Sequence, residues 1–385
     1  MKTLITLVAC LAAGSVCADD RPQYQLTVLR GLGGTSSIGN SINNRGWVAG
    51  RSNLSDNQTR HATLWRGGVL TDLATLGGPN SAVLWPVKNV RGVVTGITQT
   101  SEPDPRLESW SCGTFFPAAT RIGFRCVGFR WQNGVMTPLP TLRDGFHGFA
   151  TGTNNLLRTV GWTEDGVVDT TCVAPQVYRF RAVIWGPDGR IERELLPADE
   201  DDTSTAATAI NDRGQVVGIS GICDQAVGRF SAIRMVLWEK DKMTVIPAFG
   251  GVAWNTPAAI NERGDVVGFA NASAADAGNT NFRAFHWRKG QSTRPLPALP
   301  GHVTSSAAGV NDRRQIVGQS CSAEGDCRAL LWEGCDVDDL NEMVDDNSVV
   351  LTSAKDVDDR GRITGQGQDV ATGEFVAFVA TPLVR

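Results

Sequence analysis

Short hydrophobic runs recur along this chain between clusters of Gly, Asn and Asp, and one phrase returns throughout. It reads Ser41-Ile42-Asn43-Asn44-Arg45-Gly46-Trp47-Val48-Ala49-Gly50, then Ala209-Ile210-Asn211-Asp212-Arg213-Gly214-Gln215-Val216-Val217-Gly218, then Ala259-Ile260-Asn261-Glu262-Arg263-Gly264-Asp265-Val266-Val267-Gly268. Weaker copies centre on Asn89, Asn154, Asn311 and Asp358, so successive anchors lie 46, 65, 57, 50, 50 and 47 residues apart. A second apolar phrase ending in Trp follows each of the first six copies, as in Ala62-Thr63-Leu64-Trp65 and Ala182-Val183-Ile184-Trp185. The seventh, Val376-Ala377-Phe378-Val379, keeps the pattern without the Trp.

Each unit reads as four short strands separated by turns. In the Asn-Asp-Arg-Gly turn the Asn caps its own backbone and Gly accepts positive φ, which closes a hairpin with a local bulge. Four strands repeated seven times at this period predict an all-β fold, a seven-bladed β-propeller with four-stranded blades. After the seventh copy only Ala380 to Arg385 remain, too little for an outer strand. Tyr24 to Gly34 reads as the missing fourth strand, so the N-terminal strand is expected to close the last blade and remove its exposed edge.

These residues resemble the HAF-repeat family of extracellular bacterial proteins, named for a His-Ala-Phe triplet before the repeat Trp. The triplet survives in fragments, as His61-Ala62-Thr63 and Arg283-Ala284-Phe285, while the Ala-Ile-Asn…Gly-x-Val-Val-Gly part is close to the family pattern in the fourth and fifth copies. The likeness runs from about Tyr24 to the C-terminus. It implies a secreted repeat protein and carries no established catalytic residues to transfer.

The start of the chain agrees with export. Lys2, an apolar stretch from Leu4 to Gly14 and Val16-Cys17-Ala18 predict a signal peptide over residues 1–18, leaving 19–385 as a single propeller domain. A lipoprotein box ending at Cys10 is the rival, but only nine residues precede that cysteine. No later run approaches the ~20 apolar residues of a membrane span, so a soluble, secreted or periplasmic monomer is expected. A net charge of −4 removes the basic footprint of a nucleic-acid binder.

Strand alternation sorts the connections onto two faces. The Asn-x-x-Gly and Trp-x-x-Gly turns share one; the long, variable second-to-third loops and the links between blades share the other. Variable loops on a rigid scaffold are where binding surfaces are usually built. Cys112, Cys126, Cys172, Cys223, Cys321 and Cys327 all fall in those loops and read as disulfides in an exported protein. Proximity favours Cys112 with Cys126 and Cys321 with Cys327, leaving Cys172 with Cys223 between neighbouring blades. Cys335, on the other face, is the odd cysteine. Zinc is the weaker reading, because no Cys-x-x-Cys or Cys/His ligand spacing occurs.

The expected function is therefore a binding protein that presents a disulfide-braced loop face to a carbohydrate, peptide or surface ligand. Ligand contacts are expected at Trp85, Trp110, His147, Trp254 and His302, all assigned to that face, although aromatics there also serve to pack a long loop. A secreted polysaccharide lyase or hydrolase is the alternative, with His147, Tyr178, Arg143 and Asp144 as candidate catalytic groups. No Gly-x-Ser-x-Gly, P-loop or His-Glu-x-x-His motif is present. No cofactor is expected. Asp199, Asp201 and Asp202 could hold Ca²⁺ through oxygen ligands, against the plainer reading of a solvated acidic loop.

Overall fold

The computed structural model describes residues 23–108, 111–224, 228–277 and 279–383. The expected signal peptide and Trp110 lie outside them, as does the side chain of Cys112. The described chain is an all-β, propeller-like fold of antiparallel sheets laid down in chain order. Four sheets stand alone with four strands each, in strict sequence order; the first contains Gly148–Thr153, Thr159–Val168, Tyr178–Trp185 and Ile191–Leu195. A twelve-stranded sheet joins the two ends of the chain. Within it, single parallel bridges, Ser36 to Phe375 and Arg60 to Asn80, link ladders that are otherwise antiparallel. Tyr24–Leu29 pairs with Phe375–Pro382 over six registered positions, so the N-terminal strand completes the C-terminal ladder. The strand ends at Leu29, and Gly33 and Gly34 already belong to the next one, Gly33–Ile42.

The repeat phrase becomes structure through its asparagine. Asn261 Oδ1 accepts the backbone N–H groups of Arg263 and Asp265 at 3.0 and 2.9 Å, and Gly264 takes φ 79° to complete the turn. Its Nδ2 donates to the carbonyl of Asn311, the same position of the next repeat, at 2.9 Å. The same link runs from Asn43 to Asn89, from Asn154 to Asn211, from Asn211 to Asn261 and from Asn311 to Asp358. Asp358 has no amide to donate. Arg362 takes over, bonding the Asp358 carboxylate and donating to the carbonyl of Asn44 at 3.1 Å.

Bulges add a second layer of cohesion. The register between first and second strands slips by one residue at Thr151 and at Thr208. Those hydroxyls donate to carbonyls of the next sheet, Thr151 to Ala207 and Thr208 to Pro257. The same close approach explains the Gly that ends each repeat phrase: a Cβ on Gly218 would lie 2.0 Å from the Ala206 carbonyl oxygen. The repeat Trp anchors the connection between sheets, with Nε1 of Trp65, Trp185, Trp238 and Trp332 donating to the carbonyls of Arg30, Pro140, Leu196 and Pro297. First strands are buried along their length while fourth strands such as Lys242–Ile246 are largely exposed, which places the first strand innermost.

Replacing Asn261 by Asp keeps the acceptor of the turn but sets a carboxylate oxygen against the Asn311 carbonyl, four residues from Asp265. Asn261→Asp should lower unfolding free energy by about 1–3 kcal/mol, read as a lower urea midpoint with unchanged slope. An unchanged midpoint contradicts this role for the asparagine.

Candidate functional site

The second-to-third loops form one face, and disulfides brace it. Cys172 is joined to Cys223 across neighbouring sheets, and Cys321 to Cys327 within one loop. Cys126 is also disulfide-bonded, to a side chain outside the described set. Cys335 departs from expectation. It too is disulfide-bonded, not the odd cysteine that the count of loop cysteines left over.

Several residues expected to face ligand are used for packing. Trp85 is half-buried and edge-on to Phe115, Phe149 and Trp162, with ring centroids 5.9, 5.6 and 6.0 Å away. Its bulk stands where other inner strands carry Gly, Ala or Pro, and residues 83–92 depart from strand geometry. Trp254 packs on Phe282 at 5.3 Å, and His302 Nδ1 lies 2.7 Å from Ser320 Oγ. These are separate settings, not one pocket. Asp199 and Asp202 both bond the guanidinium of Arg234, so a cation already sits where Ca²⁺ was considered; Asp201 is exposed.

His147 is buried, with 4% of its surface exposed, which corrects its assignment as an accessible ligand contact. Around it the fold gathers three carboxylates: Asp104 and Glu108 from the longest loop, and Glu164 from the strand Thr159–Val168. His147 Nε2 is 3.5 Å from Asp104 Oδ2 and 4.0 Å from Glu108 Oε2. The backbone N–H of Cys126 donates to His147 Nδ1 at 3.0 Å, so the imidazole proton sits on Nε2 and points at the acids. Glu108, His147 and Glu164 each bring a donor atom within 4.8 Å of the others, a spacing a metal ion could use. The Nε2 proton opposes that use, since coordination through Nε2 would move the proton to a nitrogen that already accepts from Cys126. The arrangement is better described as a proton-sharing cluster.

Burial pushes the Glu164 carboxyl up to about 7 and raises Glu108 as well. Glu164 accepts from His147 N and from Gln176 Nε2, both at 3.1 Å, and the Gln176 Oε1 atom is buried without a hydrogen bond.

Over this cluster lie two rings in contact, each with a guanidinium group on its outer side. Arg106 stands 4.8 Å above the Tyr178 ring, Tyr178 meets Phe146 edge-on at 4.9 Å, and Arg143 stands 5.6 Å above Phe146. Arg106 and Arg143 are exposed and the two rings half-buried. Tyr178 and Arg143 were legible as candidates; Arg106 and Phe146 were missed because nothing local in the sequence marks them. Asp144 is exposed beside this row.

The turn face is less plain than its uniform turns suggest. At its centre a cavity of about 270 Å³ is lined by Asp212, Glu262, Asp312 and Asp359. Each carboxylate accepts the backbone N–H of the preceding repeat, Asp212 from Asn155, Glu262 from Asp212, Asp312 from Glu262 and Asp359 from Asp312, at 2.7 to 2.9 Å. A larger groove of about 950 Å³ opens beside Asp265 and His286.

The raised Glu164 carboxyl gives a signed pH dependence. Its pKa is 4.5 in an unperturbed chain and about 7 here, so the folded state holds the extra proton between those values. Unfolding free energy should therefore fall as pH rises through that window, by at most about 1.4 kcal/mol per pH unit. Glu164→Gln should flatten the profile and narrow the stability difference between pH 5 and pH 8. Parallel profiles for the two proteins would contradict the assignment.

Comparison with solved structures agrees with the propeller-like fold. Virginiamycin B lyase from Staphylococcus aureus superposes with a TM-score of 0.51 at 10% identity, covering 94% of this chain and 100% of that one. Trypanosoma rangeli sialidase gives 0.41 at 8% identity, over 94% of this chain and 59% of that one. A mutant of Aleuria aurantia lectin gives 0.36 at 6%, over 82% and 94%. At these identities the first likeness speaks to fold alone, and the other two are too loose in shape to support an argument. No curated protein matches the sequence. The family described as "Protein of unknown function (DUF3466)" matches residues 163–376, more than half of the chain, and the protein belongs to it.

Proposed function

We propose that this is a secreted or periplasmic β-propeller of the HAF-repeat kind whose disulfide-braced loop face binds a carbohydrate ligand. The twelve-stranded sheet is read as three blades fused by two single-residue bridges, which with the four separate sheets makes seven. The N-terminal strand supplies the outer strand of the last. The observation that carries the binding reading is the row Arg106, Tyr178, Phe146, Arg143. Half-buried rings flanked by guanidinium groups offer apolar faces for sugar rings and charge-assisted donors for their oxygens. The underlying acid and imidazole cluster fixes the loops from below, since Glu108 accepts from Val177 N at 2.7 Å and Gln176 Nε2 donates to the Tyr178 carbonyl at 2.7 Å.

The lyase or hydrolase alternative has less support. Its leading candidate, His147, is enclosed by Asp104, Glu108 and Glu164 beneath the surface, where a polymer cannot reach it.

An oligosaccharide panel should yield a ligand whose affinity drops roughly tenfold or more in Tyr178→Ala, the loss expected for one buried aromatic contact. Thermal unfolding should change little, and Arg213→Ala in the opposite turns should bind normally. Loss of binding in Arg213→Ala with none in Tyr178→Ala would overturn the choice of face.

A further inference from the structure

One repeat sets an acid and a histidine in two slots that touch, a combination found in none of the other six. The slot of His286 in the third strand, opposite Val267, is filled elsewhere by Leu64, Ile184, Leu237, Leu331 and Val379, and once by Arg130. The slot of Asp265, first in the second strand, holds no acid in any other copy. Asp265 is fully buried, and His286 Nε2 lies 3.0 Å from its Oδ1. The fourth strand of this sheet is only Arg294–Pro295, where other sheets have four or five residues, so the flank of the third strand is left uncovered. Gln215 and Gln315 hold the Asp265 slot in the flanking repeats and accept from their own asparagine as Asp265 does from Asn261, but there the facing slot is Leu237 or Leu331. What departs from the repeat is an acid paired with an imidazole beside a shortened edge.

The result is the groove of about 950 Å³ at the turn end of the sheets. Its charge is one-sided. Arg314 Nε and Arg288 Nε approach Asp265 at 3.4 and 3.9 Å, and Arg294 donates to the Gly334 carbonyl at 3.1 Å. Among the described residues lining it, Asp265 is the one carboxylate against three arginines and a histidine. Burial raises the Asp265 pKa, but the His286 and Asn261 hydrogen bonds and the Arg314 charge outweigh it and leave it at about 2. The carboxylate thus stays ionised and orients the cations without neutralising them. Arg288 and Arg314 are 39% and 47% exposed, with guanidinium nitrogens left for a ligand. Gln291 and Ser292 add neutral polar groups on the same wall, suited to hydroxyls.

We infer that this groove is a second binding site, specific for an acidic oligosaccharide whose carboxylates bridge Arg288, Arg294 and Arg314 while its hydroxyls meet Gln291 and Ser292. Guanidinium forks recognise carboxylates bidentately, and the neutral wall favours a hydroxylated anion over an acidic peptide.

The probe is trigalacturonate, titrated calorimetrically into the purified protein, with neutral trigalactoside and hexaglutamate as comparisons. Saturable trigalacturonate binding that weakens with salt is expected, with neither comparison binding as tightly. Arg288→Gln combined with Arg294→Gln should weaken it by at least about tenfold with little change in thermal stability, because His286, Asn261 and Arg314 still hold the buried Asp265 carboxylate when Arg288 is gone. Tyr178→Ala, on the loop face, should leave it unchanged, so failure here is distinguishable from failure of the loop-face reading. Absence of saturable binding, equal binding of the neutral sugar or of hexaglutamate, or an undiminished affinity in the double variant would each overturn the inference.

Discussion

An asparagine side chain in a tight turn has two hydrogen-bonding ends, and this protein uses each for a different scale of structure. The amide oxygen of Asn211, Asn261 or Asn311 closes its own turn by accepting two backbone N–H groups. The amide nitrogen reaches the same position of the next repeat. Turn formation and sheet-to-sheet docking therefore draw on the two ends of one side chain. The seam between the chain ends shows how strict the requirement is. Asp358 cannot donate, so Arg362 binds its carboxylate and delivers the missing hydrogen bond to Asn44, while Asn44 and Asp359 bond each other reciprocally.

A scaffold whose turns are tied in this way, most loosely where Asn89 reaches the Thr153 carbonyl at 3.3 Å, leaves variation to what the ties do not reach. The loops of the far face differ in length and carry the Cys172–Cys223 and Cys321–Cys327 bridges, and there a buried cluster of three acids and an imidazole supports the row from Arg106 to Arg143. On the tied face, the exceptions are side chains that leave the repeat pattern, above all Asp265 and His286. Both places put unusual polar groups against a rigid frame, and polar groups that depart from a repeat without a packing reason mark function better than the repeat itself does.

Local chemistry was legible in the sequence and encounters between distant segments were not. The Asn-x-x-Gly turns, the bulge beside them and the strand from Tyr24 follow from the spacing of the repeats. The Cys172–Cys223 bridge follows by elimination. His147 looked exposed because it sits in a loop, yet Asp104, Glu108 and Glu164 arrive from other loops and strands to enclose it. Trp85 looked like a platform because it is large where its counterparts are small; the same size drives it into Phe115, Phe149 and Trp162. The Asp265 and His286 pair was not legible, because the two lie on different strands and only the pairing of those strands and the shortened Arg294–Pro295 bring them together beside the groove.

Native-state hydrogen exchange at the turn amides tests the closed, turn-tied ring most directly. If the ties run through the seam, the amides of Trp47 and Arg362, on either side of it, should be protected to the same extent as those of Gln215 and Asp265 in the interior of the repeat array, and all should exchange through a common global opening. Protection that declines toward the two ends of the chain would mean an open array that frays, and would contradict the account.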